Sequence, residues 1–445
     1  MTIHYPELAE RVRSQQDSQP GLYGDIDFHT SPYRFTTDPA DKSSLPKWVA
    51  AREPLLADER MVELMRTATM LGDVVADPYA TLVARYGVQG LIGMLRQACR
   101  DGVDSVPDAP AELRTFLASM EATPAWVDRE LVEQGARHMR IGAAYLSPFL
   151  IRGAFLATFL NTYAALPMAI IGALSGRRAA HRVNETATFF TVTTLPGALT
   201  RHGAGFEAAA MVRLMHSMVR YNALERSAHW DAEVYGIPVP QVDQMPAGLI
   251  NMYLLATLAR RRGRTEFSPR ERAMLEFSRY RCFLLGLPEE LLPTTAEGII
   301  EVFHARAALL RDGFDDATCG ELVRSTMDAY LRPDRTPFDR AAEAVENSWS
   351  RAFFLGFSGG NRKAAAAMSV HLRPADAARV AATAPFILAR FVSMTVAGQL
   401  PALRNTVDTR TIRVIGKRLA TYGSAEYTTD AATYTPKHPS TASGS

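Results

Sequence analysis

The stretch Val212-Arg-Leu-Met-His216-Ser-Met-Val-Arg220 constrains this chain more than any other. It holds no Gly or Pro, and Met, Leu and Val fill most of it, so it reads as a helix. At 100° per residue, Arg213, His216 and Arg220 fall within about 60° of one another, on one face. A helix that is apolar around most of its girth is normally buried. Two guanidinium groups buried beside an imidazole are costly unless something anionic meets them. Two arrangements satisfy that demand. Carboxylates on a neighbouring helix can pair the arginines and leave His216 as a hydrogen-bonded core residue. Alternatively, a cofactor carrying a metal and acid groups satisfies all three at once. Haem has that make-up: its iron takes an imidazole and its propionates take guanidiniums.

A second motif precedes the helix: Arg182-Val-Asn-Glu185-Thr186-Ala-Thr-Phe-Phe190, in which Arg182 and Thr186 share a face at i and i+4. Leu195-Pro-Gly-Ala-Leu-Thr-Arg201-His-Gly-Ala-Gly205-Phe206 bridges the two. Pro124-Ala-Trp-Val-Asp128 lies upstream; Tyr235-Gly-Ile-Pro238-Val-Pro-Gln241 and Leu285-Gly-Leu-Pro288-Glu-Glu-Leu-Leu-Pro293 lie downstream. Together these pieces resemble the DUF2236 family, that of the latex clearing proteins (rubber oxygenases) and the fungal MpaB-type oxygenases. The likeness covers roughly residues 120–300 and is most specific in the block ending at Arg220.

The resemblance implies an all-α fold: a globin-like helical core around haem b, with additional helices. It implies His216 as the proximal iron ligand, with Arg213 and Arg220 as flanking haem-binding residues. Arg182 and Thr186 are implied at the haem pocket, binding the cofactor and taking part in catalysis; Glu185, where the family carries a Lys, is the candidate for proton handling, or else an ion-pair partner of Arg182, Arg213 or Arg220. The implied reaction is oxidative cleavage of a carbon–carbon double bond, both atoms of O2 entering the products. The chain departs from the rubber-cleaving pattern in two places. The Lys expected just before the motif Thr is Glu185, and no Asp or Glu occurs between Glu133 and Glu185, where a general base is expected. Rubber itself is therefore a poor fit, and a smaller apolar, alkene-bearing molecule of isoprenoid or lipid character is the expected substrate. A non-catalytic haem protein, sensing O2 or redox state or carrying haem, is the alternative; a cofactor-free helical protein that binds lipids or partners is a third reading.

Composition narrows the field further. The chain has 445 residues, 47% hydrophobic and 22% charged, with net charge +2. That is an ordinary globular balance with no pull towards nucleic acid. Three cysteines, none in a CxxC pair, argue against a disulfide framework. No HExxH, GxSxG or GxGxxG appears, so hydrolase and nucleotide-binding readings lack support. The N-terminus shows no basic segment followed by an apolar run, so the expectation is a cytoplasmic protein.

In chain order, residues 1–45 are polar and read as an irregular arm wrapping the core through Tyr23, Phe28, Tyr33 and Phe35. A helical haem-binding domain is expected over 46–421 and a disordered tail over 422–445. Its helices are expected near 58–75, 78–100, 109–120, 128–145, 246–262, 268–285, 317–331, 337–356, 360–370 and 374–398. Residues 227–246 read as irregular. Gly153–Gly176 carries no charge and is long enough to span a bilayer. Pro167 and the polar Thr158, Asn161 and Thr162 favour a buried helix pair instead, with 149–174 as the wall of an apolar pocket. Peripheral membrane contact there stays open.

Overall fold

Apolar residues recur at helical spacing from one end of the chain to the other, and the computed structural model realises them as helices. It describes residues 3–170, 176–227, 229–360 and 362–422. Among these, extended pairing is confined to two isolated bridges, Phe35 with Leu310 and Ser43 with Arg311. The all-α expectation holds.

Besides the short turns of helix Pro20–Tyr23 and Glu53–Ala57, the first half comprises α1 (Pro6–Ser18), α2 (Glu59–Thr69), α3 (Ala76–Thr81), α4 (Val83–Asp101), α5 (Ala111–Glu121), α6 (Arg129–Tyr145), α7 (Ser147–Ala157), α8 (Thr162–Ile170) and α9 (Gly176–Val192). Besides the short helices Ala232–Tyr235 and Arg362–Ala367, the second half comprises α10 (Ala204–Arg226), α11 (Gln241–Arg261), α12 (Pro269–Leu284), α13 (Ala296–Leu309), α14 (Glu321–Asp328), α15 (Pro337–Phe357), α16 (Pro374–Ala397) and α17 (Pro401–Tyr422).

α10 carries the organising motif and is buried on nearly every side, from Phe206 through Leu214 and Met218 to Ala223. α3, α4, α9 and α12 pack against it. The long helices that flank it come together where side chains are small. A Cβ on Gly135 would lie 2.0 Å from the Ala273 carbonyl, so α6 and α12 touch backbone to backbone. A Cβ on Gly248 would lie 2.3 Å from Cys282 Sγ, which draws α11 onto α12.

Local signals account for most boundaries. Ser268 and Glu271 form a capping box that opens α12, with Pro269 at the first helical position. α11 begins at Gln241, earlier than expected near 246; Pro246 lies in its second turn and leaves the Val242 carbonyl without its helical donor, and Arg306 Nε donates to that carbonyl instead, at 3.1 Å.

Three expectations need correction. The N-terminal arm is not irregular throughout: Pro6 starts α1, and Leu8, Val12 and Gln15 form its buried stripe at i, i+4 and i+7. Polar residues on the other face hide that stripe in the sequence. The apolar run from Gly153 is a helix pair, as expected, but it does not break at Pro167, which lies inside α8; α7 and α8 meet at 108° ahead of it. Asn161 makes the break. Its amide donates to Ser44 Oγ at 2.7 Å and to the Arg311 carbonyl at 2.8 Å, and its carbonyl caps Tyr163 N at 3.0 Å. Of the described residues in the expected pocket wall, Ile151 alone lines the cavity described below. The tail expected from 422 falls, beyond Tyr422, outside the described residues, while α17 adds a helix in a stretch to which the sequence reading assigned none.

Candidate functional site

His216 lies deep in the molecule yet keeps some accessible surface, unlike its buried neighbours Met215 and Ser217. Burial, with the positive charge of Arg220 beside it, pushes its pKa down to about 4. The ring is neutral at pH 7, as a metal-ligating imidazole must be.

Its tautomer follows from a chain of hydrogen bonds that ends on a backbone carbonyl. The Gly72 carbonyl can only accept, so Gln241 Nε2 donates to it at 3.1 Å. Gln241 therefore offers Oε1 to Gln244 Nε2, also at 3.1 Å. Gln244 in turn offers Oε1 to His216 Nδ1, 2.8 Å away. The Nδ1 atom must then carry the proton, and Nε2 keeps its lone pair. This is the arrangement found behind metal-bound histidines, where an outer partner fixes the ring and its tautomer. Gln15 of α1 closes the chain from behind by accepting from Gly72 N at 2.7 Å.

The arginines on the same face have different partners from those the haem reading assigned them. Arg213 Nε and Nη2 reach Asp73 at 2.5 and 2.9 Å. Arg220 Nε donates to Asp77 Oδ1 at 2.8 Å, while its Nη1 and Nη2 go to the Val239 carbonyl and Ser217 Oγ. Tyr23 Oη also donates to Asp77, at 2.5 Å. All five groups are buried. Burial alone would raise the pKa of Asp73, but the adjoining Arg213 outweighs it and the net shift is downward. Arg213 and Arg220 thus form internal ion pairs with Asp73 and Asp77. The first of the two arrangements open from the sequence holds for the arginines, while His216 retains a free nitrogen.

α9 packs on α10 and carries the other expected residues. Glu185 is held by Arg182 Nη1 at 2.9 Å and lies 3.1 Å from His181 Nε2. Thr186 is half-buried one turn beyond Arg182. On the opposite face of α9, Asn184 and Ala187 line a cavity of about 260 Å³, whose other walls include Pro148, Ile151, Val414 and Tyr422.

The sequence reading missed two residues. Gln244 is one. The other is Arg281 of α12, which is 1% exposed and has no carboxylate partner among the described residues. Its Nη2 donates to the Gly248 carbonyl at 3.1 Å, one turn along α11 from Gln244. Its guanidinium stacks over Phe190 at 4.7 Å and Phe277 at 5.2 Å, and Nε has no partner. Phe190 lies one turn beyond Thr186 on α9. Burial without a neighbouring anion pushes the pKa of Arg281 down to about 10. Other fully buried arginines do have carboxylates: Arg34 pairs with Asp243, Arg140 with Asp408 and Arg152 with Glu343.

Among the described residues no group of three or more His, Cys, Asp or Glu side chains could hold a metal ion. A lone imidazole with a free nitrogen suits a metal that brings its other ligands with it, as a porphyrin iron does. The free Nε2, the surface left on His216 and the buried cation at Arg281 fit such a group.

Comparison with known proteins gives the family and the fold. Residues 139–402 match the family described as "ER-bound oxygenase mpaB/B'/Rubber oxygenase, catalytic domain". A rubber oxygenase of Streptomyces sp. (strain K30) is 25% identical over 234 residues, which cover 50% of this chain and 55% of that protein. The chain thus spans about half the length of this curated relative. The structure of latex clearing protein LCP in the closed state superposes with a TM-score of 0.56 at 18% identity, over 80% of this chain and 92% of that one. That likeness shows a common fold.

Proposed function

The chain belongs to the mpaB-type and rubber-oxygenase catalytic-domain family, and from that premise we propose that it is a haem b-dependent oxygenase acting on an apolar, alkene-bearing small molecule. The observation that carries the haem reading is the hydrogen-bond chain Gly72–Gln241–Gln244–His216, which leaves Nε2 unprotonated. Bound haem supplies the activation of O2. The reaction needs no external reductant: the double bond breaks and each of its carbons gains one oxygen atom as a carbonyl.

The chain's own residues then have distinct tasks. His216 holds the iron, and Gln244 holds His216. Arg281 offers its guanidinium to an acid arm, the role expected of Arg213 and Arg220. Arg182 and Thr186, on the face of α9 turned away from the cavity, are the residues that would meet the cofactor from that helix. Glu185 is the carboxylate available there for proton handling, and it can act only if it leaves Arg182 and His181. That engagement favours a second reading, a haem protein that senses or carries and does not oxygenate.

The visible spectrum of the purified chain tests the first step. A Soret band that His216→Ala abolishes is the expected result, and a colourless, iron-free protein overturns the proposal. O2 uptake with a panel of isoprenoid and unsaturated lipid substrates then separates oxygenase from sensor. Uptake absent across the panel selects the sensor or carrier.

A further inference from the structure

The small net charge of the chain conceals an uneven distribution. Residues 373–422, which form α16, α17 and the turn between them, hold eight Lys or Arg against two Asp; the rest of the chain holds 41 against 45. The hairpin is therefore at +6 and the remainder at −4. Both aspartates are engaged inward: Asp376 is buried and accepts from Ser348 Oγ at 2.9 Å, and Asp408 pairs with Arg140 at 2.5 Å. Arg404, Arg410, Arg413 and Lys417 are exposed, with no acidic partner among the described residues.

The same hairpin exposes apolar surface. Phe386 is 76% exposed, Val392 and Val396 are each 53% exposed, and Leu388, Leu400 and Leu403 are also open. Phe386, Ala389, Ser393 and Val396 recur at i, i+3, i+7 and i+10, so they share one face of α16 with no charge among them. α16 is long and apolar enough to cross a membrane. Its other side, however, is docked. Thr383 Oγ1 accepts from Trp349 Nε1 at 2.8 Å, and Arg390 lies 4.8 Å over the Tyr145 ring. A helix fixed along one flank lies on a surface and does not thread through it.

Charge selects the occupant of the open face. A second copy would bring one +6 hairpin against another. An anionic bilayer accepts the apolar stripe in its acyl boundary and the cations at its headgroups. We propose that the α16–α17 hairpin is a peripheral docking surface for anionic lipid. α17 also supplies Val414, Lys417, Thr421 and Tyr422 to the 260 Å³ cavity, which places that cavity beside the lipid contact. The inference does not depend on the cofactor.

Vesicle flotation of the full chain tests it, comparing phosphatidylcholine alone with phosphatidylcholine containing a quarter phosphatidylglycerol. The chain should float with the anionic vesicles and be released by high salt. Arg404→Gln and Arg410→Gln should each lower the partition coefficient about fivefold. Phe386→Asp should abolish flotation while leaving the thermal midpoint unchanged, because that side chain packs on little. Absence of flotation with both vesicles, or equal and salt-insensitive flotation with both, overturns the proposal. So does a dimer in light scattering that Phe386→Asp dissociates while vesicle binding is absent.

Discussion

Replacing Gln244 by Leu tests the logic of the site most directly. The change removes the acceptor 2.8 Å from His216 Nδ1 and deprives Gln241 Oε1 of its donor. One lost hydrogen bond costs about 1 kcal/mol, and a buried polar atom left unpaired costs about 1–3 kcal/mol. Losing an outer partner of a metal ligand typically weakens metal affinity about 10- to 100-fold. The variant should therefore fold with a modest loss of stability and release haem to a scavenger at least tenfold faster. Gln244→Glu should act in the opposite sense on the ring. A carboxylate at the same place raises the basicity of His216, lifts its pKa from about 4 and makes the iron harder to reduce. The haem-free protein gives an independent readout. Nitrogen-15 spectra of labelled histidine should show His216 protonated at Nδ1 in the native chain, with mixed tautomers in Gln244→Leu. An Nε2-protonated ring in the native chain refutes the reasoning, whatever the cofactor proves to be.

Further perturbations address the buried charges. Asp77→Ala should destabilise the chain by about 3–5 kcal/mol in urea unfolding, because it strands Arg220 in the core. Arg281→Met should have effects of opposite sign: the haem-free chain gains stability, since an unpaired buried cation is removed, while haem dissociates faster; a loss of stability in the haem-free form would show Arg281 to be purely structural. The stability of the haem-free chain should fall with pH through His216. Its folded pKa of about 4 lies below the unfolded 6.5, so the unfolded state takes up the proton first as pH drops through that window. This contribution, about 3 kcal/mol at neutral pH, is lost by pH 4, and His216→Leu should remove about one proton from the linkage. Gly248→Ala places a methyl group 2.3 Å from Cys282 Sγ and should lower the thermal midpoint; an unchanged midpoint would show that α11 can slide on α12.

Much of the fold was legible because helix signals are local. Ser268, Pro269 and Glu271 mark the start of α12 within four residues, and the Arg213–His216–Arg220 face follows from spacing alone. Partners distant in sequence were not legible. Asp73 and Asp77 lie 140 and 143 residues before the arginines they meet. The i, i+4 spacing of Asp73 and Asp77 within Leu71-Gly-Asp-Val-Val-Ala-Asp77 was the available signal, since two carboxylates on one short, otherwise apolar stretch call for buried cations. Gln244 gave no signal, because a glutamine in a helix is ordinarily a surface residue. Arg281 stands out only once burial shows that it lacks a carboxylate, and sequence patterns do not report the absence of a partner.

The pairing of Arg213 and Arg220 within the chain alters what the site can ask of a cofactor. The two guanidiniums and the two carboxylates Asp73 and Asp77 cancel, so the groups behind His216 carry no net charge. A neutral ring supported by a neutral scaffold is stable before any metal arrives, and the Gln241–Gln244 chain aims it without adding charge. Arg281 is buried without a carboxylate partner among the described residues, and its Nη2 meets the Gly248 carbonyl one turn of α11 from Gln244. An anionic group bound there would satisfy a cation that the empty fold holds at a cost, whereas one directed at Arg213 or Arg220 would have to displace a buried aspartate. The ion pairs therefore belong to the framework that holds α10 against α3, and in the proposed function the imidazole and the Arg281 guanidinium are left to meet the cofactor. Cofactor binding should accordingly respond to Gln244 and Arg281 variants that leave the Asp73 and Asp77 pairs intact.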